Sequence, residues 1–79
     1  MSPTALRLGP YRFFFFSNEG FEPPHIQVQR DERLVKFWLD PVSLAQPGRF
    51  AHHEVAEIET LVRHNEARLL EAWHDFFRH

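Results

Sequence analysis

All six prolines and all three glycines of this 79-residue chain lie before residue 49, and none follows. The chain is therefore divided into a part full of backbone breakers and a part that has none. In the second part Val55, Ile58, Leu61, Val62, Leu69, Trp73, Phe76 and Phe77 recur mostly three and four residues apart, the spacing of one helix face. An amphipathic helix from about residue 52 to 77 is predicted. Its start is half capped, with Glu54 three residues after Ala51 where a capping box would carry Ser or Thr. His74, Arg78 and His79 suit the negative pole of the helix dipole. Unbroken, such a helix would run roughly 40 Å, twice the about 20 Å of a six-residue strand. It must overhang, bend near His64 and Asn65, or pack on another subunit.

The first part reads as extended chain. Thr4 to Leu8 and Tyr11 to Ser17 flank the turn dipeptide Gly9-Pro10, and "HIQVQR" and "RLVKFWLD" meet around Asp31-Glu32. Between the two hairpins lies a loop of turn formers, "SNEGFEPP". The Asp40-Pro41 step and "QPGR" are taken to close the sheet, since proline cannot donate to a ladder. The expected fold is α+β: four mostly antiparallel strands in two hairpins, then one long or bent C-terminal helix packed on one sheet face. It forms a single domain over residues 1–79, with the sheet part at 1–48 and the helical part at 49–79.

Strand parity assigns the faces. Leu6, Leu8, Phe13, Phe15, Ile26, Val28, Val35, Phe37 and Leu39 merge into one apolar layer, the expected core. The opposite face carries Arg7, Arg12, Phe14, Phe16, His25, Gln27, Lys36 and Trp38. Aromatics mixed with cations are unlike an ordinary solvated sheet face, and an exposed apolar patch marks an interaction site. The competing reading buries these aromatics against the overhanging helix or a second copy of the chain.

Composition narrows the partners. With 43% hydrophobic and 15% aromatic residues the chain is expected to fold, yet at this size a single core is only marginally stabilising. A protein partner, encoded nearby or a second copy, would add what the core lacks. The absence of cysteine excludes disulfides and thiolate metal sites and suits a cytoplasmic setting. The longest aromatic run, Phe13 to Phe16, is far short of a membrane span, and no charged leader precedes an apolar stretch. A net charge of −2, with the acidic excess after residue 48, works against strong nonspecific nucleic-acid binding.

The stretches "LRLGPYRFFFFSNEGFEPPHIQVQR", "KFWLDPVSLA" and "LLEAWHDFF" resemble a small bacterial family, domain-of-unknown-function family 4160, across essentially the whole chain. The resemblance implies no established activity. It implies an association with another small domain in pairs suspected of being toxin and antitoxin modules. The family pattern reads Pro-His-x-His, whereas this chain has Gln27 at the second histidine.

Two functions follow as expectations. The first is a protein-interaction module, which the resemblance implies to be one component of a toxin-antitoxin-like pair, using Arg7, Phe14, Phe16, Gln27 and Trp38. The alternative is a ribonuclease-like or single-stranded nucleic-acid-binding protein. There His25, pre-positioned by Pro23-Pro24, would transfer protons, while Arg12 and Lys36 stabilise developing negative charge. The bland reading of His25 is a hydrogen bond that fastens the preceding loop. Metal and cofactor are not expected: Glu71 and His74 form a Glu-x-x-His step, but such sites need matching ligands from several helices. His52 and His53, adjacent on a helix, point about 100° apart.

Overall fold

The computed structural model describes residues 4–78. Five strands come first, β1 (Thr4–Leu8), β2 (Tyr11–Phe14), β3 (His25–Arg30), β4 (Arg33–Leu39) and β5 (Val42–Gln46), followed by α1 (His52–His64) and α2 (Glu66–Phe77). The strands lie in sequence order, each antiparallel to the next. The α+β class stands, and two of its details are corrected.

The sheet has five strands rather than four. Asp40-Pro41 does not end it, because Pro41 occupies the turn and β5 begins one residue later, so the missing N–H falls outside the ladder. Val42 then pairs with Leu39 and Leu44 with Phe37. At the other boundary β2 ends at Phe14, three residues short of the expected Ser17.

The helix is two helices, broken where a bend was one of the options. The Asn65 amide Nδ2 donates to the Leu61 carbonyl at 2.8 Å, while its backbone N–H turns to Val62 at 3.2 Å. The side chain thus takes the acceptor that a continuous helix would offer to its own N–H. The break lets both halves follow the sheet: α1 buries Ile58 and Val62, and α2 buries Leu69 and Trp73. At the start of α1 the Ala51 N–H donates to Glu54 Oε1 at 3.0 Å, the half of a capping box that alanine permits. Glu54 also accepts from Arg33 at 2.9 Å, which ties α1 to β4. Of the cations assigned to the helix end, His79 lies outside the described residues.

Both helices pack on one face of the sheet. Between them and the strands lie Leu6, Phe13, Phe15, Ile26, Val28, Val35, Phe37 and Leu39, as parity required, with Tyr11, Val42 and Phe50 added. Leu8 is half-buried at the margin of this layer. Phe15, just beyond β2, sets its ring within 5.5 Å of Trp73, Phe76 and Phe77 and closes the sheet onto the end of α2. No described helix is long and apolar enough to cross a membrane.

Candidate functional site

Among the described residues both helices pack on the core face, so on the other face, away from the His25 end, which Trp73 of α2 reaches, the side chains cover one another. Arg12 donates from Nε to Thr4 Oγ1 at 2.8 Å and lays its guanidinium 4.4 Å from the Phe14 ring. Phe16 meets the same ring edge-on at 5.2 Å. In consequence Phe14, expected to be exposed, is only 3% accessible. Lys36 behaves similarly: its ammonium lies 4.6 Å from the Trp38 ring centroid, and the side chain runs buried along the face. Gln27, which faces Phe14 on one side and Lys36 on the other, is also buried. Phe16 and Trp38 are half-buried, and Arg7 is exposed.

At one end of this face, residues 15–24 leave the sheet and return to it. Two successive turns, Glu19 N–H to Phe16 and Glu22 N–H to Glu19, both 3.1 Å, turn the loop back on itself. The Leu39 N–H donates to the Pro24 carbonyl at 3.0 Å and rejoins the loop to β4. Gly20 presses against the Phe77 ring so closely that an added Cβ would collide with it, which is the physical reason for glycine there.

Inside the returning loop sits His25, with no accessible surface. Its Nδ1 lies 3.0 Å from the Pro23 carbonyl and its Nε2 2.8 Å from Glu19 Oε1. A carbonyl only accepts, so the Pro23 contact is one in which Nδ1–H donates, and the Glu19 carboxylate lies within hydrogen-bond reach of the other ring nitrogen. Trp73 of α2 and Trp38 of β4 wall the ring at centroid distances of 4.7 and 5.8 Å.

Glu22 completes the arrangement. Its Oε1 accepts from Lys36 Nζ at 2.7 Å and lies 3.6 Å from His25 Nδ1. The hydrogen bond from Lys36 is the main reason that its carboxyl sits below the ordinary carboxylate value, against the opposing effect of burial. Two carboxylates from the loop thus face an ammonium and an imidazole from the sheet.

The structure therefore brings His25 and Lys36 together around Glu22, and it places Arg12 elsewhere. Arg12 pairs with Gln29 across β2 and β3, four residues from His25, roughly 13 Å of strand. Its guanidinium is engaged by Thr4 and Phe14 instead. Glu19, Glu22 and His25 each set one metal-ligating atom within 4.8 Å of the other two. One of these carboxylates, Glu22, already accepts from the Lys36 ammonium.

Sequence reasoning missed Glu19, Phe21 and Glu22, and read Trp73 only as part of the apolar helix face. The loop offers no period to read, and its turn formers signal only that the chain reverses. One cue was available: Glu19 and Glu22 are the sole acidic residues between β2 and β3, beside a face whose charges are cationic. Phe21 stands between them with 84% of its surface accessible.

Residues 11–74 fit the family model described as "Domain of unknown function (DUF4160)". No curated protein and no solved structure matches the chain.

Proposed function

The chain belongs to the DUF4160 family of domains of unknown function, and on that premise we propose that it is a protein-interaction module, whose outer sheet face and adjoining loop bind a partner protein. Phe21 carries this reading. A phenylalanine on a loop pinned at Glu19, Gly20 and Glu22 is held out in solvent at 84% accessibility, and an aromatic side chain gains much from burial in a pocket of another protein. Half-buried Phe16 and Trp38 and cationic Arg7 and Arg12 extend the surface from the loop across the sheet. The fitting partner has an apolar pocket for Phe21 and an acidic rim for the cations. Pairing of the toxin and antitoxin kind suits a domain this small, whose single core gains from a partner.

The nuclease alternative draws no comparable support. Its proton-transfer group is wholly buried with both ring nitrogens engaged, and its two cations are held by separate partners.

The test is co-expression with the protein encoded beside it, followed by light scattering of the purified material. A one-to-one complex with the wild type, lost in the folded double variant Phe21→Ser and Trp38→Ser, is the expected result. A monomer indifferent to that neighbour, or a complex that survives the double variant, would remove the proposal. A homodimer that the double variant dissolves would assign the same face to self-association and reject a separate partner.

A further inference from the structure

The cluster of Glu19, Glu22, His25 and Lys36 is divided between the sheet and a loop. His25 and Lys36 belong to paired strands β3 and β4. Glu19 and Glu22 belong to a loop with neither strand nor helix of its own. The sheet groups are buried, at 0% and 9% accessibility, while the two carboxylate side chains keep about a quarter of their surface in solvent, 23% and 24%. The carboxylates thus reach the cluster from the solvent side.

We infer that the loop acts as an internal ligand: Glu19 and Glu22 occupy a carboxylate-binding site built from His25 and Lys36, which takes an acidic segment of a partner protein when the loop is displaced. The site has the parts such a ligand needs. Lys36 offers a donor steadied over Trp38, and His25 offers Nε2 from a ring fixed by Pro23 and walled by two tryptophans. An incoming Glu-x-x-Glu segment makes the same two hydrogen bonds that the loop gives up, so the exchange leaves neither Lys36 nor His25 without an acceptor.

Phe21 gives the exchange its handle. It lies between the two carboxylates and packs on little within its own chain, so a partner that buries it pulls on the segment that closes the site. What resists is the contact of Gly20 with Phe77 and the hydrogen bonds of Glu19 to His25 and of Glu22 to Lys36. The groove beside Gly20 also presents His74, Asp75 and Arg78 of the α2 end, none of which reaches the cluster. This inference deepens the interaction reading by naming the chemistry of the partner's segment.

The test removes the internal ligand and supplies it in trans. The full chain is made with Glu19→Ala and Glu22→Ala, and a synthetic peptide of residues 17–23, Ser-Asn-Glu-Gly-Phe-Glu-Pro, is titrated to about millimolar, the effective concentration of a tethered segment. Binding is read from the NMR resonances of His25, Lys36 and the Trp38 indole. The expected result is saturable shifts at all three, at least about tenfold weaker with the peptide whose glutamates are glutamines, and likewise when Lys36→Met is added. Equal binding of the two peptides, shifts confined to other residues, or a double variant that no longer folds would each overturn the inference. None of these outcomes bears on whether the wild type forms a complex through Phe21 and Trp38, so the two readings fail separately.

Discussion

Phe13 and Phe14 are neighbours in β2 and are buried almost equally, at 0% and 3% accessibility, but by opposite means. Phe13 lies in the apolar layer between the sheet and the helices. Phe14 lies under an arginine, at the edge of another phenylalanine, on a face that no helix covers. One face of the sheet is thus closed by secondary structure and the other by side chains. A cover of helices is held by the backbone, whereas a cover of long polar side chains can be rearranged by whatever docks on it. This difference is why the proposed interaction is assigned to the second face.

The sharpest way to break this comparison is to truncate each phenylalanine. Phe13→Ala should cost about 3–5 kcal/mol by urea unfolding, as befits a cavity under rigid helices, and Phe14→Ala about half as much, because Arg12 and Phe16 can settle into the space. Equal losses would show both faces to be equally rigid. Next in size is His25→Phe, which leaves the Pro23 carbonyl unpaired and frees Glu19. A loss of about 2–3 kcal/mol is expected, with faster amide exchange in residues 17–24 than in either helix. Uniformly faster exchange would mean that the histidine supports the whole fold rather than the loop.

Smaller effects sharpen the contrast. Lys36→Met should cost about 1 kcal/mol at neutral pH, the upper range for a partly exposed pair. Its pH dependence is more telling. The Glu22 carboxyl is held below its ordinary 4.5, so the pair contributes fully above that value and loses its contribution as pH falls through the lowered one. Acid unfolding of Lys36→Met should therefore be flatter below pH 4.5 than that of the wild type; parallel curves would show that the pair adds nothing. Smallest of all, Glu59→Ala on the outside of α1 removes an exposed bond to Arg63 at 2.8 Å and should change stability by only a few tenths of a kcal/mol.

How legible the molecule was follows the same division. Ile26, Val28, Val35 and Phe37 were readable because alternation in a strand has a period, and so were the helix limits, 52 and 77. The fifth strand was hidden by Pro41, although Val42 and Leu44 alternate with Ser43 as a strand should. The break at Asn65 depends on one amide reaching a carbonyl four residues back, a competition with the helix that apolar spacing does not record. Parity also placed His25, Gln27, Lys36 and Trp38 on one face, but it could not show that Glu22 would reach Lys36 or that Arg12 would cover Phe14. The first contact depends on the path of a loop without periodicity, and the second on how a long side chain of β2 lies along its own strand.

The central claim is that the face without helices is the one that is used. Amide hydrogen exchange of the chain, alone and saturated with its partner, tests it directly. Added protection should appear in residues 14–24 and in β4 around Trp38, with α1 and α2 unchanged. Protection confined to the exposed sides of the two helices, with the loop around Phe21 exchanging as fast as before, would contradict the account.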